Sequence, residues 1–264
     1  MKLSIIVPVL NSHEIVRRSL LHYDKMFLTD DVEVIYVDDG SDPPIEDFLI
    51  KDEGLSEKER EEFLNFYGYG YSFDLTIYQT NDKRDWTWAL ARNFGAKKAR
   101  GEYLLMTDLD YIIPKKAIEY ALQFTGDKLR FKREFGILDE NGEFTQDVPT
   151  LLKWGLLPER ISERGLQMPP HPNNFCMRKD LYWEMGGYRE DRVSWPYPQG
   201  EDAWFKRKWT RMVEDGKAKD DDARLRPTLY MYPNGQFCGD VDYNPFGLFH
   251  KLSRKTERNA KWQN

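Results

Sequence analysis

Hydrophobic and polar positions in the first half of the chain alternate between two textures. Short continuous runs of β-branched and other apolar residues, Leu3–Val9, Val32–Val37, Leu75–Tyr78 and Tyr103–Thr107, are separated by segments whose apolar residues recur at helical intervals. An unbroken apolar run of that length suits a strand buried on both faces of a parallel sheet. Between the first two runs, Ile15, Val16, Leu20, Tyr23 and Phe27 fall at helical spacing, and Asn11-x-x-Glu14 ahead of them reads as an N-cap with its capping-box partner. Glu53–Phe66 is charged and predicts an exposed helix; Trp86–Ala99 carries small and apolar residues at helical spacing. Pro114 stands where a helix over Lys115–Phe124 would begin. Strand and helix alternating over about 125 residues predict a doubly wound, mostly parallel α/β sheet.

Beyond residue 125 the pattern loosens. Gly126–Arg133 and Gly136–Phe144 read as a hairpin or extended excursion, with Asn141-Gly142 as a turn. Pro169-Pro170-His171-Pro172 is a rigid loop, Met185-Gly186-Gly187-Tyr188 a turn, and Gly200-Glu201-Asp202 opens a helix through Trp209. Asp215–Asp222 reads as a polar, acidic linker, and the tail from Leu248 carries five Lys or Arg against one Glu. No internal repeat is present.

Composition narrows the class without naming a function. The 264 residues are 40% hydrophobic and 14% aromatic, which excludes wholesale disorder and suffices for a sizeable core. Two cysteines, Cys176 and Cys238, make neither a disulfide framework nor a Cys-rich metal site, so a reduced, cytoplasmic setting is expected. The apolar start is broken by Pro8 and followed by Asn11, Ser12, His13 and Glu14, which suits a first strand better than a signal peptide. No stretch approaches the ~18 apolar residues of a membrane span. The formal charge of −6 argues weakly against nucleic acid. The basic tail leaves a place at a membrane surface open, although a solvated helix is the plainer reading.

Chemistry enters at the strand ends. Ligands of open parallel sheets sit beyond the carboxyl ends of the strands, and three polar clusters fall there: Asn11-Ser12, Asp38-Asp39 and Asp108-x-Asp110. Two carboxylates at i and i+2 leaving a strand can share one hard divalent cation, Mg²⁺ or Mn²⁺, together with substrate phosphates; the plainer reading is a solvated turn. Asp38-Asp39-Gly40-Ser41 can accept hydrogen bonds from a base imide or ribose hydroxyl, or simply form an Asx turn. Glu201-Asp202 at a helix start is a general-base candidate or merely a partner of the helix dipole. His250 is a candidate third metal ligand or an ordinary histidine.

Taken in order, Ser4-Ile-Ile-Val-Pro-Val-Leu-Asn11, Val37-Asp-Asp-Gly-Ser41, Ala91-Arg-Asn-Phe-Gly95, Ala99-Arg-Gly-Glu-Tyr103, Asp108-Leu-Asp110, Gly186-Gly-Tyr188, Gly200-Glu-Asp202 and a late His250 resemble glycosyltransferase family 2, which has the GT-A fold. Residues 126–175 and the acidic segment match nothing in that pattern. The resemblance implies a Rossmann-like GT-A domain with residues 1–125 as its nucleotide-sugar half. Residues 126–247 would be the acceptor and catalytic-base half, and 248–264 a basic tail.

By the same resemblance, Asp39 contacts the nucleotide base, usually uracil, with Asp38 beside it. Pro8 and Asn11 line the nucleotide pocket, and Arg92 lies near the diphosphate. Asp108 and Asp110 hold Mn²⁺ or Mg²⁺, with His250 completing metal or diphosphate binding. Asp202 is the catalytic base and Glu201 its acceptor-side neighbour. The reaction implied is inverting transfer of a sugar from a nucleoside diphosphate, expected to be UDP, to an acceptor hydroxyl on a glycan, lipid-linked sugar, protein or modified base.

Three positions depart from the family pattern: the aromatic Trp86-Thr-Trp88 before Arg92, Tyr111 after the paired aspartates, and Asp42-Pro-Pro44 in the base-side loop. Trp195 and Tyr197 are candidates to stack on an acceptor sugar. A sugar-nucleotide nucleotidyltransferase would want a Gly-rich basic loop after the first strand, and Pro8–His13 has neither glycine nor Lys or Arg. A non-catalytic nucleotide-sugar binding module is the other alternative, and it would have no need of Asp202.

Overall fold

The computed structural model describes residues 1–50, 69–82, 84, 87–192 and 201–233. Its main sheet has six strands: β1 Leu3–Val9, β2 Val32–Asp38, β3 Asp74–Gln79, β4 Tyr103–Met106, β6 Lys128–Arg130 and β11 Phe175–Arg178, in the order β3-β2-β1-β4-β11-β6. The first four are parallel, and β11 runs antiparallel to both β4 and β6. Every residue of β1, β2 and β4 is buried, as the continuous apolar runs require. The predicted doubly wound, mostly parallel α/β sheet is therefore the observed one. The helix predicted over Glu53–Phe66, Trp86, Trp195, Tyr197, Gly200, Cys238 and the tail with His250 lie outside the described residues.

Alternating residues of one strand feed two cores. Leu3, Ile5, Val7 and Val9 pack with Ile15, Val16 and Leu20 of α1 (His13–Asp24) and with Ala117 and Ile118 of α4 (Lys115–Gln123). Ile6 faces the other way, among Ala91 and Ala96 of α3 (Trp88–Lys98), Leu181 of α7 (Lys179–Glu184), and Phe205 and Trp209 of α8 (Glu201–Glu214). Gly95 lets α3 lie close to the sheet: a Cβ there would stand 2.6 Å from Cγ2 of Ile6.

A second sheet, β10-β7-β12-β5, joins β10 Gln167–Met168, β7 Lys132–Phe135, β12 Thr228–Met231 and β5 Tyr111–Ile112. The chain crosses from one sheet to the other twice at neighbouring places. β4 leaves the main sheet at Met106 and re-enters pairing at Tyr111, and β10 leads through residues 169–174 back into β11, whose Phe175 pairs with Met106. Both crossovers lie beyond the carboxyl end of β4. No helix among the described residues is long and apolar enough to cross a membrane.

Several local expectations need correction. Ser12, not Asn11, precedes α1, and it makes no side-chain cap; its hydroxyl donates to the Leu10 carbonyl at 3.1 Å. Glu14 turns to Arg17 and Arg18 instead of capping, because two guanidinium partners within one turn compete with a single backbone amide. Phe27 lies past the end of α1 and is 77% exposed. Of the hairpin or extended excursion expected over 126–133 and 136–144, the first segment is extended and divides between β6 and β7, and the second is the hairpin of β8 Ile137–Leu138 with β9 Phe144–Thr145 around the expected Asn141-Gly142 turn. The acidic 215–222 segment is no solvated linker throughout, since the buried Asp221 accepts the Arg130 amide at 2.9 Å and pairs with Arg226.

Lys128 is a buried cation whose ammonium lies 4.5 Å from the Phe175 ring and 5.0 Å from those of Phe205 and Trp209. Burial, with Arg130 adding repulsion, brings its pKa down to about 7 against the pull of Asp220 and Asp221. In the unfolded chain it holds its proton up to its ordinary value near 10.5. Between those values the unfolded state binds more protons, so this residue makes stability rise with pH, by up to about 1.4 kcal/mol per unit. Lys128→Met is expected to raise stability at pH 7 and to flatten that rise. Urea titrations of both proteins at pH 7, 8 and 9 measure it; equal slopes would contradict it.

Candidate active site

The site forms where β1, β2 and β4 end side by side. Lys2 and Ile6 of the β1 side accept hydrogen bonds from Tyr103 and Thr107, so the even-numbered residues face β4. Pro8 continues that face just where pairing with β4 has stopped at Met106, and its missing N–H leaves no donor unpaired there. Asn11 follows with φ +50°. Its amide donates to the Ser41 hydroxyl at 2.9 Å and its side-chain oxygen accepts the Asp42 amide at 2.8 Å. The first strand-end loop is thereby tied to the second.

The paired aspartates of that second loop do different work. Asp38 accepts three backbone amides: Gly40 at 3.2 Å, Ser41 at 2.8 Å and Ile45 at 2.9 Å. It builds the turn and the start of α2 (Ile45–Ile50). Asp39 is buried, with its carboxylate held by the Thr80 hydroxyl at 2.8 Å and by the Thr87 hydroxyl. Thr87 directly precedes α3, so Asp39 and Arg92 are placed by the two ends of one short stretch of chain. Neither threonine stood out in the sequence, since a hydroxyl next to an apolar helix carries no spacing signal.

Arg92 is the centre of the arrangement. Its guanidinium is 2% exposed, bonds Asp108, lies 3.6 Å from the Glu201 carboxylate, and stands over the Tyr188 ring at 5.3 Å. Burial pulls its pKa down, but Asp108, Tyr188 and Glu201 outweigh that and raise it, so the cation is permanent. Among the described residues its Nε and Nη1 have no hydrogen-bond partner. Burial raises the pKa of Glu201 while Arg92 opposes the rise. Thus one buried cation joins the end of β4 to the first residue of α8, far apart in sequence.

The Gly186-Gly187-Tyr188 turn is held by the residue after Arg92. Asn93 donates to the Tyr188 carbonyl at 2.9 Å and to Glu190 at 2.7 Å, and accepts from the Tyr182 hydroxyl at 2.6 Å and the Tyr188 amide at 2.9 Å. Gly187 has φ +56°, and a Cβ there would meet Oδ1 of Asn93 at 2.6 Å. Only glycine fits that position.

Asp108 and Asp110 span the first crossover between the sheets. The Asp108 carbonyl accepts the Tyr111 amide at 3.2 Å and the Asp110 carbonyl accepts the Tyr232 amide at 3.1 Å. Tyr111 itself turns inward, where burial raises its pKa and its hydroxyl bonds Arg133. It is a wall of the site and offers no third carboxylate.

Among the described residues no three His, Cys, Asp or Glu side chains converge to hold a metal ion. A hard divalent cation at a diphosphate needs one or two protein carboxylates, with phosphate and water supplying the rest. Asp108 and Asp110 fit that donor requirement. Asp202 begins α8 beside Glu201, half-buried, with Oδ1 accepting the Ala203 amide at 2.7 Å.

One neighbour of Asp108 escaped the sequence reading. His171, in the second crossover, brings Nδ1 to 3.7 Å from Oδ2 of Asp108. Burial lowers its pKa against the opposing pull of Asp108, and Arg133, Asp202 and Arg92 also act on it. A lone histidine between prolines reads as loop; only the pairing of β11 with β4 brings it here.

The family model for glycosyl transferase family 2 matches residues 4–129. No curated protein matches the sequence at a significant level. Solved structures similar to it include S. aureus TarS 1-349 in complex with UDP-GlcNAc, at 22% identity over 79% of this chain and 53% of that one, with a TM-score of 0.48. Another is the mannosyltransferase PcManGT from Pyrobaculum calidifontis in complex with GDP-Man and Mn²⁺, at 16% identity over 89% and 58%, with a TM-score of 0.49. The chain spans a third to under three-fifths of the length of such structures.

Proposed function

The chain belongs to glycosyl transferase family 2 through residues 4–129, and on that premise we propose that it transfers a sugar from a nucleoside diphosphate to an acceptor hydroxyl with inversion. The observation that carries this reading is Arg92, which brings the Asp108 carboxylate and the Glu201-Asp202 helix start into one site. A donor's diphosphate belongs at the strand-end side, beside Asp108, Asp110 and the buried guanidinium. Its base belongs at Asp39, within the loop that Asn11 and Asp38 hold in shape; a carboxylate there accepts an imide N–H and so favours UDP.

Single displacement needs a leaving group stabilised on one face of the sugar and a base on the other. Departure of the diphosphate concentrates negative charge next to Arg92, a donor fixed in place before the reaction and shielded from water. A divalent cation held by Asp108 and Asp110 would add Lewis-acid stabilisation of that charge. Glu201 is committed to Arg92, so the base role falls to Asp202, which is half-buried and, among the described residues, has the Ala203 amide on one oxygen. No enzyme nucleophile is needed.

Thermal unfolding with UDP, GDP, dTDP and CDP, each with Mn²⁺ or with EDTA, tests the donor site. Ligand at about 100 times its dissociation constant adds about 2.7 kcal/mol, which shifts the midpoint by roughly 5–10 °C in a chain of this size. The expected result is a rise with UDP that needs Mn²⁺. A rise with UDP that persists in EDTA would remove the metal, and no rise with any nucleotide would remove the donor site.

A further inference from the structure

Resting on the transferase reading above, we propose that Tyr188 is a positioning residue. Its ring face sets the plane of the Arg92 guanidinium, and its stack on Phe205 ties that cation to the helix that bears Asp202. The Tyr188 hydroxyl takes no part in the chemistry, because it donates to Asn173 Oδ1 at 2.9 Å and the residue is buried.

Hydrogen bonds alone do not hold the guanidinium. Among the described residues Nη2 bonds Asp108, while Nε and Nη1 have no hydrogen-bond partner. The Glu201 carboxylate, 3.6 Å from Nη1, lies beyond hydrogen-bond reach. A group bonded through one nitrogen can swing about that bond. What opposes the swing is the Tyr188 ring, whose centroid lies 5.3 Å from Cζ of Arg92. The negative face of an aromatic ring attracts a planar guanidinium laid over it, most strongly where water is excluded.

The ring is itself held from three sides. Asn93, the residue after Arg92, binds the Tyr188 amide and carbonyl, each at 2.9 Å. Asn173, in the second crossover, holds the hydroxyl. Phe205 stacks on the ring with centroids 4.5 Å apart and planes 17° apart, and Phe175, at the start of β11, continues the stack at 4.9 Å and 11°. Phe205 lies one turn along α8 from Glu201 and Asp202. One ring therefore registers α3, the second crossover and α8 against one another. That register places the charge beside the departing diphosphate relative to the carboxylate that takes the proton, a geometry in which about 1 Å of misplacement costs about 10²-fold in rate.

The test compares wild type with Tyr188→Phe, Tyr188→Met and Tyr188→3,4,5-trifluorophenylalanine, the last keeping the shape of the ring while draining its negative face. Side-chain NMR reads rotation of the Arg92 guanidinium about Nε–Cζ, its signal assigned as the one lost in Arg92→Met. Acceptor-free hydrolysis of UDP-glucose, UDP-GlcNAc and GDP-mannose reads kcat and KM. Rotation is expected to stay slow in Tyr188→Phe and to quicken several-fold in the Met and trifluoro variants. Hydrolytic kcat should stay within about threefold of wild type in Tyr188→Phe, and fall about 5–30-fold in the trifluoro variant and about 10–100-fold in Tyr188→Met. The cation stays in the site throughout, so KM and calorimetric UDP binding should hold within about threefold. Unchanged rotation in the trifluoro variant, which decides alone if Tyr188→Met does not fold, would overturn the proposal. So would a trifluoro variant as active as Tyr188→Phe, which reduces the ring to packing, or a Tyr188→Phe as slow as Tyr188→Met, which moves the role to the hydroxyl. Wild type that neither binds nor hydrolyses any of these nucleotides would overturn the transferase reading, while the rotation comparison would still decide whether the ring holds Arg92.

Discussion

Asp202→Asn is expected to slow sugar transfer by about 10²–10⁴-fold, the range for loss of a positioned general base, with nucleotide binding unchanged. The substitution keeps shape and the hydrogen bond from the Ala203 amide, which an amide oxygen can accept as a carboxylate oxygen does. What it removes is the capacity to take a proton. Glu201 cannot substitute, because its carboxylate faces Arg92 at 3.6 Å and turning it outward would leave the cation with Asp108 alone. Steady-state transfer with the donor found by thermal unfolding, alongside calorimetric nucleotide binding, separates the two outcomes. A variant that retains full turnover would reassign the base and would favour a binding module whose acidic helix start serves only the helix dipole. A variant that loses nucleotide binding as well would place Asp202 on the donor side.

The second large effect belongs to Arg92. Removing one partner of a buried ion pair destabilises by about 3–5 kcal/mol, since the charges left behind have neither water nor counter-ion. Here the residual carboxylates are Asp108, 26% exposed, and Glu201, 13% exposed, so solvent reaches part of one of them and the lower end applies. About 3 kcal/mol corresponds to a fall of roughly 6–12 °C in unfolding temperature for a chain this large. Arg92→Met, which also gives up the contact with the Tyr188 ring, should show that fall and lose the nucleotide-induced stabilisation. Adding Asp108→Asn should recover part of the stability, because the two sites share one interaction, while donor binding stays lost. Additive losses in the double variant would mean that Arg92 acts through packing.

The strands were legible because burial on both faces imposes a continuous apolar run, and all four predicted runs agree with the observed strands within a residue at either end. The strand-end aspartates were legible for a related reason: a polar cluster that directly follows such a run has nowhere to be except the sheet's carboxyl edge. Roles were less legible than places. Asp38 and Asp39 are adjacent and chemically identical, yet three backbone amides take Asp38 into the turn while two threonine hydroxyls orient Asp39. Only folded coordinates distinguish them. The capping box failed because sequence spacing names a possible partner for Glu14 but not its competitors, Arg17 and Arg18.

The sequence by itself determined the doubly wound sheet and the carboxyl edge at which the candidate aspartates stand. Those are consequences of local hydrophobic period and of residue type, which a linear chain displays. The tertiary structure decided who meets whom. Arg92 reaches Glu201 across more than a hundred residues, Asn93 holds the turn at Gly187, and His171 stands beside Asp108 because an antiparallel strand, β11, was inserted next to β4. Such contacts follow from strand order and crossover path, which depend on how the entire chain buries its apolar surface and leave no periodic trace in the sequence.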